Sequence, residues 1–174
     1  MPHRWSLALV LRLLLFTVAT IAAPSIAGAQ QRAATAVRRT IGSYSFGDGG
    51  RVRVDVDGAR VAFFAADGSG SQVLIYLDGP SVDRWLVLAD GLVRGDASGA
   101  GAQTPPLTQA DASVGGSVVL TREDVPRRRG VTTQYYLTAM GDADHLALLP
   151  LTSMEARIVT AALHRAVDAL RSTP

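Results

Sequence analysis

In RVRVDV, residues 51–56, Val52, Val54 and Val56 alternate with Arg51, Arg53 and Asp55, which is the period-two pattern of a strand with one face buried. The Asp57-Gly58 pair that follows suits a tight hairpin turn, because both central positions of such turns favour a positive φ. With those two residues as the loop, Val54 faces Val61, Val52 faces Phe63 and Asp55 faces Arg60, so one face is apolar and the other holds an ion pair. The preceding SYSF reads as a short strand, and the loop DGSGS at 67–71 returns the chain into a further strand, QVLIYL.

After Asp78-Gly79 the period changes. At 100° per residue Val82, Trp85, Leu86, Leu88, Ala89, Leu92 and Val93 share one side of a helix, with Val87 on the wrong side. Pro80 fits the first turn and Ser81 is the candidate cap; a strand RWLVLA is the rival reading of 81–93. Residues 95–116 are small, polar and interrupted by proline, and read as a flexible connection. The second half then runs strand SVVLTR, loop EDVPRRRG, strand VTTQYYLTAM, turn GDAD, strand HLALL and a helix from Ser153 to about Arg171. Thr152 and Glu155 form a capping box with Leu151 as the apolar staple. Ile158, Val159, Ala162, Leu163, Ala166 and Leu170 line one face of that helix, and Arg157, Thr160, His164, Arg165 and Asp168 the other.

These elements predict an α+β fold: an antiparallel sheet of about six strands with two helices on one face. Each half is three strands and a helix entered through a Gly-Gly pair, which admits a pseudo-duplicated βββα arrangement. The single domain is placed at 41–174, after a mobile lead-in at 30–40.

The first 29 residues have a short basic start, an apolar run, Pro24 and the small-x-small triplet Ala27-Gly28-Ala29, the layout of a secretory signal cleaved between Ala29 and Gln30. Arg12 interrupts the apolar run, and a charge at mid-bilayer costs about 2.5–3.5 kcal/mol. A cleaved signal and a periplasmic or secreted protein without a stable membrane span is therefore the expectation, an N-terminal anchor the alternative. Without Arg4 and Arg12, fifteen arginines face fifteen acidic residues, so the formal charge of the rest is zero and nucleic-acid binding is not expected. All cationic side chains are Arg, a bias of GC-rich bacterial coding, and there is no Cys, so stability must come from the core.

Several chemistries can be weighed. Asp55, Asp57, Asp67 and Asp78 are hard oxygen donors, but their spacing fits neither an EF-hand nor a nonapeptide calcium repeat, so they read as turn residues. Asp142, Asp144 and His145 in GDADH could present two carboxylates and an imidazole to a divalent metal, or serve a hydrolase; the other histidine downstream, His164, lies on a helix. No nucleophile elbow or Cys is present and no cofactor is implied. Arg127, Arg128 and Arg129, beside Pro126, could grip phosphate or carboxylate groups of an anionic surface or an acidic partner, with Glu123 and Asp124 offsetting part of that field. Tyr135 and Tyr136 fall on opposite faces of their strand, leaving one for contact. The function expected is a non-enzymatic binding or interaction module, acting through the sheet face the helices leave open or through the Arg loop.

Overall fold

Period-two patterning organises most of the chain. In the computed structural model, which describes residues 38–96, 101–110, 115–128, 130–142 and 145–172, nine strands form two antiparallel sheets with two helices. Ala29, Gln30, Arg129 and Asp144 lie outside the described residues. The first sheet is a meander of β1 (Arg39–Ser45), β2 (Arg51–Asp57), β3 (Arg60–Ala66) and β4 (Gln72–Asp78). Helix α1 (Gly79–Arg94) follows directly. The second sheet has the order β5 (Ala102–Gln103), β7 (Ser117–Arg127), β8 (Gly130–Met140), β9 (Leu146–Leu151), with β6 (Leu107–Thr108) also on β7, and α2 (Ser153–Arg171) closes the chain. Each sheet is thus followed by a helix, although the strand sets differ in number and length.

The first hairpin departs from the expected register. Its loop is Gly58-Ala59, so Asp57 pairs with Arg60, Val54 with Phe63, and Asp55 with Ala62 instead of Arg60. Gly58 takes φ 59 at the first loop position, where a side chain would be strained; this lets Asp57 remain in the strand. The slip of one residue on each strand keeps the faces, so Val52, Val54, Val61, Phe63, Val73 and Ile75 still bury together.

Residues 81–93 are helical, and the rival strand is excluded. The cap is Asp78, whose side chain accepts from Ser81 N at 2.8 Å; Ser81 itself is the third helical residue. Leu88, expected inside, is half exposed, whereas the other six apolar residues named for that face are buried. At the far end Gly95 adopts the left-handed conformation (φ 92), and its N–H reaches the Gly91 and Leu92 carbonyls.

Helix α2 has its capping box in full: Glu155 N donates to Thr152 Oγ1 at 3.3 Å and Thr152 N to Glu155 Oε2 at 2.7 Å. Its buried face is rotated from the expected one. Ala156, Thr160 and Val167 are inside, while Ile158 and Leu170 are only partly buried. Thr160 tolerates this because its hydroxyl donates to the Arg157 carbonyl at 3.2 Å.

The connection expected at 95–116 contains β5 and β6, a broken edge strand on β7. Thr104, between them, fixes it: Oγ1 accepts from Leu120 N at 3.0 Å and from Trp85 Nε1 at 3.1 Å, and Trp85 Nε1 also reaches the Pro105 carbonyl at 3.1 Å. Helix α1 packs against β4, β6 and β7, α2 against β1, β2, β3, β8 and β9, and one hydrophobic cluster runs through both sheets and both helices. The helix pair is tied outside by His164 to Asp90 and by Arg171 to Asp83, each at 2.8 Å. Among the described residues no helix is long and apolar enough to cross a membrane.

Candidate interaction surfaces

Three surfaces follow from this frame. The first is the outer face of the second sheet. Val118, Leu120, Tyr135, Leu137, Ala139, Ala147, Leu149 and Leu151 point to the core. Strand pleating sends their neighbours outward. Met140 pairs with Leu146, Thr138 with Leu148 and Tyr136 with Pro150, so these six side chains share the outer face. An antiparallel sheet with one wet face ordinarily puts polar residues there. Here Met140, Leu146 and Leu148 are 42%, 47% and 46% exposed, with half-buried Tyr136, Pro150 and Val119 between and beside them. Leu74 of the first sheet is exposed to 42%, and its neighbour Val73 lies close to Gly141, next to Met140.

Apart from Tyr136, none of these residues stands out in sequence as a candidate site, yet LALLPL at 146–151 carries a signal. Both of its parities are apolar, which requires either burial on two faces or an exposed apolar one.

The second surface is a projecting ribbon. The segment expected as the loop EDVPRRRG is mostly strand: β7 continues through Pro126 to Arg127, which pairs with Gly130 of β8. A two-stranded ribbon has a free edge on which a missing N–H breaks no ladder. β5 reaches β7 only as far as Arg122, and β9 pairs with β8 only from Tyr135 onward, so among the described residues the five pairs from Glu123–Gln134 to Arg127–Gly130 have no further strand beside them. Along one face of the ribbon Arg122 and Asp124 form an ion pair (Nε to Oδ1 3.2 Å), and Thr133 Oγ1 donates to Asp124 at 2.7 Å. That hydroxyl, and then the Arg122 guanidinium, hold the Asp124 carboxyl below the usual carboxylate range against its desolvation. Arg122 also lies against Gly95 at the carbonyl end of α1, where a cation is favoured. Asp124 is therefore committed at the base, while Arg127 and Arg128 are exposed at the tip. Tyr135 is buried with its hydroxyl donating to the Val93 carbonyl at 3.3 Å; Tyr136 is the partner on the outer face.

The third is the turn before β9. Gly141 N donates to the His145 carbonyl at 2.8 Å, and His145 Nδ1 lies 3.0 Å from the Asp142 main-chain oxygen. The main chain of Asp142, and not its carboxylate, is what meets the imidazole. Among the described residues no three His, Cys, Asp or Glu side chains gather as a metal set. The Asp-Gly turns are likewise occupied by their own chain. Asp67 Oδ1 accepts from Ser69 Oγ at 2.6 Å, Ser69 N at 2.9 Å and Ser71 N at 3.0 Å. The Ser69 hydroxyl chiefly, with these N–H groups and that of Leu148, lowers the Asp67 pKa although burial opposes it. Gly68 packs on the Asp48 carbonyl so closely that a Cβ would collide, which joins the two turns of the first sheet at this end. A concavity of about 560 Å³ beside them, lined by Asp48, Thr132, Gln134, Met154 and Glu155 among others, has Glu155 engaged in the helix cap and Asp48 Oδ1 accepting from Gly50 N at 3.0 Å.

No protein-family model matches the chain, and no curated protein matches it in sequence.

Proposed function

We propose that the protein is an exported, non-enzymatic binding module whose contact surface is the outer face of the second sheet. The observation that carries this reading is the row Met140, Leu146 and Leu148, three large apolar side chains nearly half exposed on the face where solvent calls for polar residues. The partner this face suits is an apolar strip on another protein: Tyr136, Thr138 and Pro150 interleave the aliphatic groups on one face of paired strands.

Leu148 replaced by a photoreactive amino acid in producing cells is expected to give one discrete cross-linked product, and Val87, exposed on α1, none. No product from position 148, or the same products from both positions, overturns the reading. Export rests on the N-terminal pattern. The processed protein is expected to begin at Gln30, in part cyclised, whereas an intact N-terminus recovered from membranes would favour the anchor.

A further inference from the structure

The tip of the β7–β8 ribbon carries a chemistry that the sheet face does not. Pro126 and Val131 are cross-strand partners, so their side chains share one face of the ribbon, the continuation of the face that holds Arg122, Asp124 and Thr133 nearer the body. Both are exposed, Val131 to 67%, although Val131 belongs to a residue type that folding usually hides. Next to this apolar pair come Arg127 and Arg128, also exposed. The nearest carboxylate along that face, Asp124, already accepts from Thr133 and pairs with Arg122. The five pairs beyond the last neighbouring strands extend roughly 17 Å, at about 3.4 Å per residue.

We infer that this tip docks on an anionic membrane surface. The guanidinium groups of Arg127 and Arg128 bind lipid phosphates in paired hydrogen bonds, and the Pro126–Val131 pair enters the boundary between headgroups and acyl chains. Charge complementarity favours an anionic surface over a neutral one. The projecting apolar pair favours a soft lipid boundary over the folded surface of an acidic protein, which would have to offer a matching hole. The contact is peripheral and reversible: two cations near a charged leaflet contribute about thirtyfold in affinity, and salt weakens it.

The absence of cysteine makes the test clean, since Val131→Cys introduces the one thiol that carries an environment-sensitive fluorophore. With vesicles of phosphatidylcholine and phosphatidylglycerol, its emission is expected to shift to the blue and brighten. With phosphatidylcholine alone it stays unchanged, as does a label on Val87→Cys with either vesicle. Adding Arg127→Ser and Arg128→Ser to the labelled chain weakens the response about thirtyfold while the melting temperature stays where it was, because both positions are exposed at a turn. An unmoved label at position 131 on anionic vesicles, an equal response on neutral ones, or a response that survives loss of both arginines overturns the inference. A response to polyglutamate and not to vesicles overturns it in favour of an acidic protein. Because the readout is local to the tip, it is independent of the N-terminal segment and of the outer face of the second sheet.

Discussion

The outer faces of the two sheets solve the same problem in opposite ways. Each sheet buries its inner face in one shared core. On the outer face of the first sheet Asp55, 1% exposed, lies beneath two arginines: Arg38 Nε is 2.7 Å from Oδ2 and Arg53 Nε 3.1 Å. The second contact is an ion pair by distance without hydrogen-bond alignment, since Arg53 Nε and Asp55 Oδ1 have no hydrogen-bond partner. The Arg53 guanidinium also lies 5.5 Å above the Phe64 ring, so charge and aromatic surface cover each other. Among the described residues the outer face of the second sheet has no such cover; Met140, Leu146 and Leu148 are exposed. The first sheet covers the β2 part of its outer face with arginines and leaves Leu74 exposed at its β4 edge, whereas the second leaves a row of three large apolar side chains for something else to close.

Breaking the self-made cover is expected to have the largest effect. Arg38→Ala with Arg53→Ala leaves the Asp55 carboxylate buried without a cation, at a cost of about 3 kcal/mol, the low end for an orphaned buried charge because both arginines are partly in solvent. Adding Asp55→Ala removes the orphan and restores most of the loss. Denaturant melts of the three chains check this. A double variant as stable as the parent would mean that water reaches Asp55 and that the cover is not needed.

This cluster also marks where the sequence stops being legible. The alternation of β2 reveals the strand and its faces, and Thr152–Glu155 reveals a helix start down to the individual hydrogen bonds. The hairpin register does not follow from the pattern. Placing Asp57-Gly58 or Gly58-Ala59 in the loop leaves the same faces buried, so only the φ of Gly58 and the pairing of Asp57 with Arg60 decide, and with them the partners of Asp55. Arg38 reaches Asp55 from a stretch with no apolar period, and Pro126 reads as a loop signal because a string of residues does not show that β7 has a free edge there. Exposure of Leu146 and Leu148 is a property of neighbouring elements, and LALLPL alone is equally compatible with a strand buried on both faces.

A smaller effect is expected where the two sheets meet. The pKa of Asp67, in the β3–β4 turn, lies below the usual aspartate value, chiefly through the Ser69 hydroxyl and least through Leu148 N of β9, and that of Asp124 at the ribbon base is lowered too. A carboxylate more acidic in the folded than in the unfolded chain contributes stability that is complete above the unfolded pKa, about 3.9, and is lost as pH falls through the lower folded value. The melting temperature should therefore decline below about pH 4, and Asp67→Asn with Asp124→Asn should flatten that decline by lowering the melting temperature at pH 7 toward its acid value. An unchanged acid slope would assign the decline to other carboxylates.

The smallest effect on stability is expected at the face proposed to bind. Leu146→Thr with Leu148→Thr introduces β-branched residues that suit a strand, and places a threonine opposite Thr138. Ala147 and Leu149, between and beyond them, are fully buried and unchanged, so the core-facing side of β9 stays intact. Unfolding free energy should move by less than about 0.5 kcal/mol, as for surface positions generally, and solubility should rise as the exposed apolar row is broken. Stability and cross-linking then separate two reasons for keeping leucine at these positions. If the double variant loses several kcal/mol, as a core truncation would, the two leucines serve the fold, and the outer face of the second sheet is closed from within like the β2 part of the first. If stability holds while the cross-linked product disappears, the exposed row is maintained for a partner, at the only cost a monomer bears for it, a tendency to stick.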